Sequence, residues 1–223
     1  MKSSQSLASA FLGLVIVAGL LALLRPLATL DGGFSIRFFC YLLLALLSSG
    51  LKVQLPGVTG TLSVSFLFIL AGMAELGLVQ TMVLGIGSAL VQIYWHAKKR
   101  PPLAQVLFNL AAIAIAIRFA EAAMHTAQAW GVSLPFQLLF ATLGYFVANT
   151  FPIAGAISIT EKRSLFRVWR ECYFWALPYY LFGATLVCVL HWVVTGHTVF
   201  PRPAHGSSQR DLSNWPASEC IVT

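Results

Sequence analysis

Long apolar runs broken by short polar joints govern the order of residues in this chain. The first run extends from Leu7 to Leu24 and stops at Arg25-Pro26. A loop holding Asp31, Gly32 and Gly33 leads to a second, about Phe34 to Leu51, ended by Lys52, with Pro56-Gly57 marking a turn. The third, Thr61 to Ala74, has 14 residues. At 1.5 Å per residue it covers about 21 Å, less than the roughly 30 Å of a bilayer core. Glu75 and Gly77 interrupt it before the fourth, Leu76 to His96. This pair predicts either a helical hairpin with a sunken turn or a tilted pair in a thinned bilayer. Both readings place Glu75 deep. The fifth helix runs from Leu103 to about Met124, with Ala112, Ala116 and Ala120 forming a small-residue seam for close approach. The sixth runs from Leu134 to about Ile157, with Asn149 and Pro152 set to bend it, and the seventh from Tyr173 to about Thr195.

The expected fold is therefore all-α: a polytopic helical membrane protein with about seven transmembrane helices. Residues 1–200 form the transmembrane domain, and Pro201 to Thr223 a polar tail expected to be disordered. No alternating ten-residue segments of a transmembrane barrel occur. The first run is too long for a signal-peptide core and has no A-x-A site beyond it, so it reads as an uncleaved helix.

Composition agrees: 58% of residues are hydrophobic and 9% charged, against about a quarter charged in soluble domains. The net charge of +7 sits mostly in short loops, which points to membrane orientation rather than nucleic acid. Seven crossings put Lys2, Lys52, Lys98, Lys99, Arg100, Lys162, Arg163, Arg167 and Arg170 on one side. Arg25, Arg37, Arg118, Arg202 and Arg210 fall on the other. The positive-inside rule then places the amino terminus in the cytoplasm and the carboxyl tail outside. Trp95, Trp169 and Trp175 fall at the inner interface, and Trp130 and Trp192 at the outer.

Charges inside apolar runs cost at least about 2.5 kcal/mol at mid-membrane and so point to function. Glu75 is the first candidate. Arg118, Glu121 and His125 form a second set on one face of the fifth helix, and both sets fall in the outer half. Arg118 has two available partners, Glu121 locally or Glu75 across helices. The functional reading is an outward-opening pocket for a small ligand; the plainer one is an internal ion pair that fixes register, or snorkelling of the charges to the headgroups. Asn109, Gln92 and Asn149 read first as interhelical hydrogen-bonding groups, with Asn109 kept among the ligand-contact candidates.

No cofactor is implied. The histidines (His96, His125, His191, His197, His205) lack metal-ligand spacing, although His125, His191 and His197 share the outer side. Cys40, Cys172, Cys188 and Cys220 are scattered and read as small apolar residues. No phosphate loop, nucleophile elbow or paired-carboxylate motif is present, so no enzyme is expected. Between the sixth and seventh helices, Arg163, Arg167 and Arg170 fall on one helical face, with Phe166, Trp169 and Tyr173 on another. This is the pattern of an interfacial amphipathic turn.

The stretch KVQLPGVTGTLSVSFLF, Lys52 to Phe68, resembles the signature of bacterial membrane-associated sensor (MASE-type) domains. These precede GGDEF (diguanylate cyclase) and HD-GYP (cyclic-di-GMP phosphodiesterase) output domains. Lys99-Arg100-Pro101, Gln105 to Asn109, and Trp169 to Leu181 extend the resemblance, which covers roughly Phe34 to Leu190. It implies an input module of the bacterial inner membrane that regulates cyclic-di-GMP turnover. Family members carry an eighth helix and then a catalytic domain, where this chain has Pro201 to Thr223. No output activity is therefore carried over, and the module is expected to act through another membrane protein or as a homodimer. More distantly, the short third helix and buried Glu75 resemble the substrate-binding subunits of vitamin transporters. An inert truncated product is the remaining alternative.

Overall fold

The computed structural model describes residues 2–28, 35–50, 52–54, 61–95 and 100–195, with 2–5, 25–28, 52–54, 61–63 and 195 described by their backbone alone. Helices dominate: α1 (Lys2–Ala28), α2 (Ile36–Ser49), α3 (Ser65–Glu75), α4 (Leu78–Tyr94), α5 (Leu103–Ala129), α6 (Leu134–Glu161), α7 (Leu165–Cys172) and α8 (Leu177–Thr195). A 3-10 turn, Phe174–Ala176, joins the last two. All the apolar runs of the sequence are helical, as their uninterrupted hydrophobicity dictates. The exception is the start of the third run. Thr61–Ser63 is a strand, paired antiparallel with Lys52–Gln54 in the register Lys52 to Ser63. The β-branched and alternating residues there favour extended backbone, so the helix begins only at Ser65.

Among the described residues, four helical stretches are long and apolar enough to cross a membrane: Ser6–Leu24, Leu103–Ala129, Leu134–Glu161 and Leu165–Val194. The other three apolar helices, α2, α3 and α4, have 14, 11 and 17 residues. They measure about 21, 16 and 26 Å, short of the hydrocarbon thickness. Of the about seven transmembrane helices expected, four stretches among the described residues therefore reach spanning length. Large side chains such as Leu14, Leu44, Leu103, Phe119, Phe182 and Val193 lie exposed on the outside. In water such a surface would be unstable; against lipid tails it carries no penalty.

Successive apolar helices alternate in direction. Leu76 and Gly77 reverse α3 into α4, and residues 130–133 reverse α5 into α6. Helices α3 and α8 run parallel. Gly183 meets Phe66 and Leu67 at one level, and His191 meets Glu75 eight residues further along both helices. The amino-terminal ends of α2, α4 and α6 therefore share one end of the bundle with the carboxyl-terminal ends of α3, α5 and α8. The main core is a layer of Phe66, Ile69, Leu70, Ile117, Leu138, Tyr145, Phe146 and Tyr180 around the small residues of α5. Ala112, Ala116 and Ala120 are buried, and Ala120 sits opposite Gly144, so the expected seam is the α5–α6 interface.

Lys98, Lys99, His96, His197, His205, Cys220, the expected loop around Asp31 and the expected tail lie outside the described residues.

Candidate functional site

The site is built around Glu75, the last residue of α3. In the turn that follows, Gly77 caps α4 in extended backbone. This leaves the Glu75 carboxylate at the head of the hairpin rather than within a continuous helix. Two other helices reach it. Tyr41, on α2, donates its phenolic hydroxyl to Glu75 Oε2 at 2.9 Å. His191, near the carboxyl-terminal end of α8, places Nδ1 3.4 Å from Glu75 Oε1. The Glu75 side chain retains 18% exposure and that of His191 25%. One carboxylate thus joins α2, α3 and α8, and both of its oxygens are engaged. A carboxylate removed from water needs such partners, because an unpaired charge in a low-dielectric layer is costly.

The second set forms a separate cluster on α5. Arg118 Nη1 donates to Glu121 Oε2 one turn away. His125 Nε2 lies 3.7 Å from Glu121 Oε1, with its side chain 68% exposed. Arg118 therefore pairs within its own helix and not with Glu75, since an i, i+3 partner needs no interhelical alignment. Because α3 and α5 both end at the same end of the bundle, the two clusters share that end. Asn109 does not join them. It lies nine residues before Arg118 on α5, about 14 Å toward the opposite end.

The other polar groups act between helices. Gln92 Nε2 donates to Ser65 Oγ at 2.8 Å, linking α4 to α3. Asn149 Nδ2 reaches Tyr180 Oη at 3.4 Å, linking α6 to α8. Trp169 Nε1 donates to Thr150 Oγ1 at 2.9 Å. Among the described residues, no group of three or more His, Cys, Asp or Glu is placed to hold a metal ion. The described cysteines Cys40, Cys172 and Cys188 are free thiols.

Sequence reasoning singled out Glu75 but not Tyr41, and it knew His191 only as one histidine on the shared side. No local signal marks either partner, because they stand 34 and 116 residues from Glu75 in the chain. Chemically, the arrangement is a carboxylate between a phenol and an imidazole. It can exchange partners with a polar solute, and any such exchange loosens α2 or α8 from α3. Comparison with known proteins finds no matching family model, no matching curated protein and no matching solved structure.

Proposed function

We propose that this chain is a sensory input module of the bacterial cytoplasmic membrane, of the MASE type. In this reading it crosses the membrane seven times, with its amino terminus in the cytoplasm, and acts on cyclic-di-GMP turnover through another membrane protein. The observation that carries the proposal is the junction at Glu75, where one carboxylate ties three helices together at the end assigned to the outside. A small polar ligand competing for Glu75 would change how α2 and α8 seat on α3. That is a change of helix packing transmissible across the bilayer. The short helices α2, α3 and α4 complete their crossings by local thinning of the bilayer. Arg100, Lys162, Arg167 and Arg170 lie at the opposite end, which the positive-inside rule assigns to the cytoplasm.

The test is cellular. Expression of the full chain in a bacterium with its own cyclic-di-GMP enzymes shifts the level of that nucleotide. Glu75→Gln, at equal abundance in the membrane, returns the level to that of cells without the chain. A wild-type chain with no effect on the nucleotide would sink the proposal. An effect unchanged by Glu75→Gln removes Glu75 from it.

The 11-residue α3 that ends at Glu75 favours a second reading, a small-molecule-binding subunit of a transporter. In that case a solute co-purifies with the detergent-extracted protein, and Glu75→Gln loses both the solute and its uptake, with cyclic-di-GMP unchanged.

A further inference from the structure

At the end of the bundle opposite Glu75, α6 finishes in a tight turn. Lys162 adopts left-handed backbone, with φ 54° and ψ 37°, and the chain enters α7 at Leu165. This helix has eight residues and two unlike faces. Its inner face is anchored. Val168 is fully buried, and Trp169 donates to Thr150 Oγ1 of α6 while its ring packs beside Phe146 and Phe151. Its outer face carries Arg167 and Arg170 at i, i+3, both exposed.

The local acidic residues leave these two arginines uncompensated. Glu171 and Glu161 both pair with Arg163, at 2.5 and 3.5 Å. Glu171 holds the Arg163 guanidinium even more firmly protonated than usual, with Glu161 adding to the effect. Among the described residues, Lys162, Arg167 and Arg170 have no carboxylate partner. Flanking them are three exposed rings: Phe166 at 64%, Phe174 at 48% and Trp175 at 70%. Uncompensated arginines beside exposed aromatics suit neither water alone nor hydrocarbon alone. They match the headgroup layer, where rings enter the acyl boundary and guanidinium groups meet phosphate. In chain order α7 stands between the apolar α6 and the apolar α8, joined to α8 by the 3-10 turn.

We infer that α7 is a binding surface for anionic phospholipid headgroups, with Arg167 and Arg170 as the phosphate-contacting residues. Guanidinium groups bind phosphate through paired, charge-assisted hydrogen bonds. Each basic side chain at an anionic surface adds roughly fivefold to binding, so the pair adds about twenty-five-fold at low salt. The inference uses the membrane assignment but not the sensor reading, so either stands if the other fails.

The experiment is native mass spectrometry on the full-length protein in detergent, offered an equal mixture of phosphatidylglycerol and phosphatidylcholine. Wild-type protein retains phosphatidylglycerol in clear excess, and the excess declines as salt is raised. R167Q/R170Q loses most of it, about twenty-five-fold at low salt by the same arithmetic. R167K/R170K keeps the larger part, because the charges remain. Arg37→Gln removes one exposed charge at the far end and leaves the excess unchanged. Equal retention of the two lipids by wild-type protein overturns the inference without any variant. So does an excess that survives R167Q/R170Q, or one that Arg37→Gln reduces as much. If α7 instead docks an acidic protein, wild-type protein shows no lipid preference.

Discussion

Gly19 on α1 faces Ala111 on α5 so closely that an added Cβ would stand 2.5 Å from the Ala111 Cα. Backbone cannot yield there as a side-chain tip can. Gly19→Ala should therefore cost about 1–3 kcal/mol by overpacking, read as a lower midpoint of thermal unfolding in detergent. Gly13→Ala on the same helix meets nothing within 4 Å. It should be neutral or slightly stabilising, because alanine is the better helix former. Gly85 is an intermediate case: its added Cβ would meet Ile117 Cδ1, the mobile end of a side chain that can turn aside. Legibility at this scale depended on distance along the chain. The Arg118–Glu121 pair is readable because one helical turn brings the two together whatever the fold. The partners of Glu75 are not, because any residue of the right chemistry on a neighbouring helix would have served equally well.

Among the elements, α7 depends most on a few contacts. The bond from Trp169 to Thr150 joins it to α6 one residue after the Asn149–Tyr180 bond joins α6 to α8. Pro152, two residues beyond Thr150, lacks the amide that would pair with the carbonyl of Ala148, so α6 is weaker where α7 attaches. A double-mutant cycle of Trp169→Phe and Thr150→Val should give a coupling of about 0.6–1.5 kcal/mol in unfolding free energy. A coupling near zero would mean that Val168 and the ring contacts alone hold α7. The amphipathic turn itself was visible in the alternation of arginines and aromatics. Its first expected arginine was not placed correctly, because Arg163 lies in the turn before α7 and pairs with Glu161 and Glu171. The strand at Thr61–Ser63 also escaped the hydrophobic pattern, since a short apolar stretch scores alike as helix or strand until a partner strand is in reach.

For the molecule as a whole, topology is the open quantity that a direct measurement decides. With seven crossings and a cytoplasmic amino terminus, a reporter active only outside the cytoplasm should work when fused after Thr195 or between α5 and α6. It should be silent when fused between α6 and α7. Activity at the α6–α7 position would reverse the orientation. Silence after Thr195 with activity between α5 and α6 would show that one apolar helix fails to cross. The helices and their apolar character were determined by the sequence alone, because local hydrophobicity and backbone satisfaction in lipid leave a long apolar run no alternative to helix. The positions of Glu75, Arg118 and Glu121 inside those helices were equally fixed by it. Tertiary structure alone decided which helices touch, that Arg118 pairs with Glu121 rather than Glu75, and that Tyr41 and His191 close on the Glu75 carboxylate. The physical reason is that hydrophobicity sets each helix without reference to its neighbours. Registry between helices comes from steric fit at small residues such as Gly19, Gly144 and Gly183, and that fit exists only once the helices are packed.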